Sequence, residues 1–88
     1  MNVDALKDFR LGLTSFPPIL DTLDFTEESH KYQFEGILEY FAIFTGVIES
    51  GKTEGDQDVI DCIPLYVEFA KSMNRCLDIQ IKKLVDGN

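Results

Sequence analysis

The chain has few basic residues, and that shortage narrows what it can bind. Its 88 residues hold 8 Lys and Arg against 16 Asp and Glu, so its formal net charge is −8. A field of this sign on a small protein repels nucleic acid and anionic membranes and attracts basic proteins. The composition therefore predicts a basic protein partner, and no nucleic-acid or membrane binding.

Histidine and cysteine are also scarce. The chain contains one histidine, His30, and two cysteines, Cys62 and Cys76. The two cysteines fall in one predicted helix about 21 Å apart, which is beyond disulfide reach. We therefore expect two free, buried thiols. One histidine without a second cysteine pair supplies too few ligands for a zinc site, so no metal or other cofactor is predicted.

A long apolar run is missing as well. Residues 1–8 lack a basic start followed by an uninterrupted apolar stretch, so neither a signal peptide nor a membrane span is predicted, and the expected location is the cytoplasm. Hydrophobic residues are nevertheless abundant, at 44% with seven phenylalanines. Disordered acidic tails lack this much apolar area. We expect residues 1–88 to fold as a single domain around one core.

The first helix is predicted over residues 3–13, with Asn2 or Asp4 as its N-cap. Its apolar residues fall at helical spacing: Val3, Leu6, Phe9 and Leu13. The segment 16–18, Phe-Pro-Pro, is expected to end or redirect this helix, since proline disfavours helix in the residue before it. A short helical turn over 18–23 is predicted to follow.

A central helix is predicted after Thr26, its expected N-cap, and should end near Ser50 and Gly51. One apolar stripe runs along it: Phe34, Ile37, Leu38, Phe41, Phe44 and Ile48. Tyr40, Ile43 and Val47 widen that stripe. This helix is therefore expected to be buried on more than one side.

A polar, glycine-containing loop is predicted over 51–57, and the last helix should begin near Asp58 or Asp61 and run to about Val85. Pro64 is accommodated in the first turn when Asp61 is the cap. The expected inner face is one stripe: Ile63, Val67, Ala70, Met73 or Asn74, Leu77, Ile81 and Leu84. No segment shows strand periodicity. The predicted fold is all-α, an antiparallel bundle of three to four helices.

One segment matches a nucleotide-binding motif. Residues 46–53 read GVIESGKT, which fits the phosphate-loop pattern. A phosphate loop requires a strand before it and a helix that starts at the lysine. Here Lys52 is followed by the acidic segment Glu54-Gly55-Asp56. A helix end followed by a loop explains the match better, and no catalytic residue or enzymatic activity is predicted.

Acidic residues concentrate in two groups. The first consists of Asp21, Asp24, Glu27 and Glu28. The second, here called the junction cluster, consists of Glu49, Glu54, Asp56, Asp58 and Asp61. Either group is also consistent with solvated helix ends that follow the dipole preference. The junction cluster lies in or beside the predicted loop between two long helices, a common place for recognition, and is the predicted partner-binding site.

The chain as a whole resembles the small, acidic, helical immunity proteins that bacteria make against their own secreted toxins. In particular, residues 31–34 (KYQF) with Ile37 and Leu38, then residues 67–69 (VEF) and the periodic tail to Leu84, resemble the layout of immunity proteins against NAD-hydrolysing type VI secretion effectors. The likeness consists of spaced helical positions, so it assigns no individual functional residue.

The favoured hypothesis from the sequence is a stoichiometric inhibitor, an immunity protein or antitoxin that occludes a basic toxin or effector domain. Its acidic face would steer the partner, and a few apolar anchors would be buried against it. Two alternatives stay open. One is a phage-encoded inhibitor of a host defence nuclease, and the other is a homodimeric structural or adaptor subunit whose apolar excess is a self-interface.

Overall fold

A computed structural model describes residues 1–86, which form three long helices and one single-turn helix. Helix α1 spans Val3–Leu20, α2 spans Glu28–Glu54, α3 spans Gln57–Ile60 and α4 spans Ile63–Asp86. This part of the chain contains no strand, and none of its helices is long and apolar enough to cross a membrane. The predicted all-α bundle of three to four helices is confirmed.

Helix α1 is longer than the sequence predicts. It begins as expected, with the Asn2 side chain accepting a 2.8 Å hydrogen bond from the Ala5 N–H. It then continues through Pro17 and Pro18 to Leu20. The prolines lack the N–H groups that would bond one turn back, but Leu20 is only 2% exposed. Burial of this last turn offsets the lost hydrogen bonds.

The observed ends of helix α2 also differ from the predicted ends. Glu27, not Thr26, is the N-cap residue and makes no side-chain capping bond. Thr26 instead donates from its N–H and hydroxyl groups to Asp24. The helix continues beyond Gly51 to Glu54, and its C-cap is Gly55, whose φ of 70° lies in the left-handed region that glycine adopts without strain. Most of the predicted 51–57 loop is therefore helical.

The last helix is split in two. Asp56 caps α3 by accepting a 3.1 Å hydrogen bond from the Asp58 N–H, and Asp61 lies at the C-terminal end of that turn. Helix α4 begins at Ile63, so Pro64 is its second residue, where no helical hydrogen bond is lost. The predicted start near Asp58 or Asp61 thus corresponds to a short turn and a new helix.

Residues from all four helices share one core. Its buried members are Phe9, Leu13, Leu20, Leu23, Phe34, Ile37, Phe44, Ile48, Val59, Cys62, Phe69, Met73 and Cys76. Phe69 is 0% exposed, and its ring lies within 5.2 to 6.1 Å of the rings of Phe16, Phe41 and Phe44. The aromatic residues of α1, α2 and α4 therefore meet at one point.

The predicted inner face of α4 is only partly buried: Met73 lies in the core and Ile63 packs against it. The residues that α4 buries are Phe69, Ser72, Met73, Cys76 and Gln80. Most of the expected stripe faces solvent instead. We call it the α4 stripe: Ile63, Val67, Ala70, Asn74, Leu77, Ile81 and Leu84. Both sets follow helical spacing, and the larger rings and side chains of the first set fill the core.

Helices α1 and α4 run parallel, because α2 returns the chain between them. Near their C-terminal ends, the buried Gln80 amide accepts from the Phe25 N–H at 3.0 Å and donates to the Leu23 carbonyl at 3.1 Å. His30 Nδ1 accepts from the Asp24 N–H in the same connection. These bonds attach the α1–α2 connection to α4.

Candidate functional site

An open groove lies between α1 and α2 and is here called the α1/α2 groove. It encloses about 630 Å³. Its residues are Met1, Ala5, Asp8, Phe9, Leu11, Gly12, Ser15, Phe16, Tyr40, Ile43, Phe44 and Val47. The groove exists because α1 packs mainly against α4 and leaves its other side turned toward α2.

Aromatic rings form the floor of this groove. The Phe9 and Phe44 rings meet edge to face with centroids 5.3 Å apart, and the Phe16 and Tyr40 rings lie 5.2 Å apart. At Gly12 a Cβ atom would lie 2.5 Å from the end of the Phe44 ring. Glycine therefore permits α1 to approach the ring that closes the bottom of the groove.

The walls of the groove expose large apolar side chains. Leu11 is 63% exposed, Tyr40 52% and Ile43 59%. Tyr40, Ile43 and Val47 are the residues that widen the predicted stripe of α2. The expectation that α2 is buried on more than one side is therefore incorrect, because these residues border an open groove.

The groove continues toward α3. Its second part encloses about 550 Å³ and shares Met1, Ile43 and Val47 with the first. Glu54 and Asp56 lie at this end. Among the described residues, the charged side chains that line the two parts are all carboxylates: Asp8, Glu54 and Asp56. An apolar surface with this lining favours a partner that carries both apolar and basic groups.

The junction cluster lies at the same end of the molecule. Glu49 is exposed on α2, and Glu54 is the last residue of that helix. Asp58 is in the first turn of α3. Asp61 accepts a 2.7 Å hydrogen bond from the Gln57 side chain. The structure thus brings the five predicted residues to one end of the bundle, where Glu49 and Glu54 border a shallow polar depression.

Asp56 differs from the rest of the cluster because it has structural partners. Besides capping α3, it accepts a 3.0 Å hydrogen bond from the Met1 amine. That bond, together with the amine's positive charge and the Asp58 and Val59 N–H groups, holds the pKa of Asp56 below its usual value. The same contact raises the pKa of the amine. Asp56 therefore has a structural role that the other members of the cluster lack.

The other acidic group is partly neutralised within the fold. Asp21 forms an ion pair with Arg75 at 3.3 Å, and Asp24 forms one with Lys83 at 3.6 Å. Within residues 1–86, by contrast, the ion pair of the junction cluster is the one between Asp56 and the Met1 amine. The junction end consequently keeps more uncompensated negative charge for an incoming partner.

The phosphate-loop match lies inside a helix. Residues 46–53 belong entirely to α2, which continues to Glu54. Their backbone N–H groups face along the helix and do not form the loop that surrounds a phosphate group. No strand precedes the segment in the described chain. The geometry of this segment is therefore that of an ordinary helix.

Nothing in residues 1–86 is arranged as a metal centre: no three carboxylate, thiol or imidazole side chains come together in a suitable group. Cys62 and Cys76 are free and buried. Burial raises the pKa of both thiols, which keeps them protonated and weakly reactive. The thiols are therefore part of the core.

Sequence reasoning missed the α1 side of the groove. Asp8, Leu11 and Gly12 lie within the first predicted helix, but their position beside α2 depends on how α1 is rotated against α4. One local signal was present: the extra apolar width of α2 at Tyr40 and Ile43 exceeds what one core face requires.

Comparison of the chain with protein-family models, curated proteins and solved structures finds no match.

Proposed function

We propose that the protein is a stoichiometric inhibitor of the immunity or antitoxin type, which occludes a basic toxin or effector domain. The observation that carries this proposal is the α1/α2 groove, an exposed apolar surface whose charged side chains are carboxylates, of which Asp56 is paired with the Met1 amine. Large exposed apolar patches with a polar rim mark protein-binding surfaces. The net charge of −8 makes a basic partner the favoured one.

Apolar and acidic residues have different roles in the proposed binding. Leu11, Tyr40 and Ile43 are the apolar anchors, since they are exposed in the free protein and lie on a rigid aromatic floor. Buried anchors of this type supply most of the binding energy at protein interfaces. Glu49 and Glu54 act earlier, because exposed charges accelerate encounter more than they strengthen the final complex.

The groove is tested with the partner captured from the native cell and then purified. We expect a single basic protein in a 1:1 complex. Ile43→Lys should weaken its binding at least thirtyfold, about 2 kcal/mol, because a charge replaces a central anchor. The matched control is Ile79→Lys, at an isoleucine that is 46% exposed on α4 and lies outside the groove. Equal binding by both variants contradicts the proposal.

The steering role is tested separately with Glu49→Lys combined with Glu54→Lys. We expect an association rate at least tenfold lower with little change in melting temperature, since both side chains are exposed. Asp56 is a poor choice for this test, because its replacement removes the cap of α3 and the Met1 ion pair. An unchanged association rate assigns steering to other carboxylates.

The defence-nuclease alternative uses the same acidic surface as a nucleic-acid mimic. It differs in one measurable respect, since the partner's own DNA or RNA would compete with this protein for binding. Competition by nucleic acid favours that alternative. Its absence, together with a toxin gene next to this one, favours the immunity function.

A further inference from the structure

The α4 stripe is a second apolar surface, separate from the α1/α2 groove. Val67 is 41% exposed, Leu77 37%, Ile81 55% and Leu84 69%. The stripe runs over most of the length of α4, beginning at the half-buried Ile63. The buried residues Phe69, Met73, Cys76 and Gln80 lie roughly a third of a turn away around the helix. Packing among the described residues therefore leaves Val67, Leu77 and Ile81 substantially exposed along the stripe.

The spacing of the stripe is that of a coiled coil. Its seven positions alternate steps of four and three residues: 63, 67, 70, 74, 77, 81 and 84. This alternation averages 3.5 residues and keeps one seam facing a partner helix along the whole length. In heptad terms, residues 67, 74 and 81 occupy a positions, and residues 63, 70, 77 and 84 occupy d positions.

The residue types at these positions indicate a particular arrangement. Val67 and Ile81 are β-branched residues at a, and Leu77 and Leu84 are leucines at d, a combination that favours two parallel strands. Asn74 interrupts the apolar seam at an a position. An asparagine there pairs with its own equivalent in a parallel dimer and fixes the register, whereas an apolar partner helix leaves its amide without a hydrogen bond.

Charge also favours a second copy at this surface. Helix α4 contains four of the eight basic residues and three of the sixteen acidic ones, which gives it a formal charge of +1. The rest of the chain then carries −9. Two copies that meet along α4 bring their least acidic surfaces together. A meeting at the α1/α2 groove would instead oppose like charges.

The flanking positions introduce no repulsion. In a parallel dimer each g position lies near the following e position of the partner. The g positions are Tyr66, Met73 and Gln80, and the e positions that follow them are Lys71, Asp78 and Val85. No pair has two charges of the same sign. Tyr66 is also held in place, since its ring stacks on Phe41 at 5.1 Å.

We infer that α4 is a dimerisation helix, through which two copies of this chain associate as a parallel two-stranded coiled coil with Asn74 paired across the seam. This inference rests on α4 alone and does not depend on the proposed function. It leaves the α1/α2 groove of each copy exposed, so each dimer presents two acidic grooves.

The mass in solution tests association. Analytical ultracentrifugation of the full chain should show about 20 kDa, twice the 10.0 kDa of one chain, and dissociation on dilution. Ile81→Glu should raise the dissociation constant at least a hundredfold. Ile79→Glu is the matched control, since it changes an exposed isoleucine of the same helix that lies outside the stripe. It should leave the dimer intact.

Circular dichroism of both variants checks that the helices remain formed. A wild-type chain that is monomeric at every accessible concentration overturns the inference. Equal loss of the dimer in Ile79→Glu and Ile81→Glu also overturns it, because association would then not follow the stripe.

Orientation is tested with Leu84→Cys. In a parallel dimer the two introduced thiols face each other near one end of the seam, so mild oxidation should yield a covalent dimer. The native cysteines are buried and remain protected. In an antiparallel dimer the thiols lie at opposite ends and do not join. A dimer without this cross-link contradicts the parallel arrangement. If the groove variant Ile43→Lys abolishes the dimer, the contact between the two copies lies at the groove instead.

Discussion

The α1/α2 groove and the α4 stripe are both exposed and apolar, but they differ in charge and in construction. Carboxylates line the groove, whereas α4 is nearly neutral. The groove needs two helices held at a fixed separation, whereas the stripe belongs to one helix. Exposed apolar area alone therefore does not specify a partner. Under the two proposals, the charges around each surface are what favour a basic protein at the groove and a second copy of the chain at the stripe.

The two surfaces should also differ in how strongly they depend on the packing of the core. The floor of the groove includes the rings of Phe16 and Phe44, which contact Phe69. The residues of the stripe are exposed on another side of α4. Phe69→Ala should lower the free energy of unfolding by about 3–5 kcal/mol, because the position is fully buried. Urea denaturation measures the loss. If Phe69→Ala lowers the free energy of unfolding by less than about 1 kcal/mol, the aromatic cluster around Phe69 does not support the floor of the groove.

Salt should separate the two surfaces most directly. Raising the ionic strength from 0.1 to 1 M shortens the Debye length from about 10 to about 3 Å. Association at the groove should slow at least tenfold, since it depends on steering by exposed carboxylates. Self-association along α4 should change less than twofold. Equal responses in stopped-flow and ultracentrifugation experiments mean that charge does not distinguish the surfaces.

Glycine substitutions compare the groove with an open part of α2. An alanine at Gly12 places its Cβ 2.5 Å from the Phe44 ring, whereas nothing lies within 4 Å of one at Gly36. Gly36→Ala should therefore stabilise the protein by about 0.5–1 kcal/mol through helix propensity. Gly12→Ala should not be stabilised in this way, because its Cβ would displace the Phe44 ring and narrow the groove. Thermal melts decide the comparison, and equal stabilisation by both changes would show that the Phe44 ring moves freely.

The smallest predicted effect concerns Asp24, at the end of the molecule away from the junction cluster. Hydrogen bonds from the Thr26 N–H and hydroxyl groups, with a contribution from Lys83, hold the pKa of Asp24 below its usual 3.8. A carboxyl whose folded pKa is lowered adds stability above its unfolded pKa, and this is lost as the pH falls through the folded value. Melting temperatures between pH 6 and about pH 2.5 should therefore decline less in Asp24→Asn than in the wild type.

The sequence predicted the helices and many core residues, because Phe9, Leu13, Phe44 and Ile48 follow the helical period. It could not orient α4, which has two apolar sides of the same period. Phe69, Met73 and Cys76 fit the bundle interior, and this packing is decided only by the other helices. Periodicity shows that a helix has an apolar side, and tertiary packing determines which side is buried.

Helix ends and the site were predicted less well because long-range contacts decide them. Burial of Leu20 carries α1 through two prolines, which a local rule does not anticipate. The bond between the Met1 amine and Asp56 joins residues 55 positions apart. The five residues of the junction cluster lie at one end of the bundle, and their role in binding stays a prediction.

The parallel pairing of α1 with α4 has a consequence for how the chain folds. The contacts that attach the end of α1 to α4 join residues 54 to 57 positions apart, including Asp21 with Arg75 and Leu23 with Gln80. Such separations slow folding, since a long loop must close before the contact forms. During synthesis, α1 therefore emerges long before its main packing partner. Since α1 packs mainly against α4, the position of α1 beside the groove depends on this long-range contact.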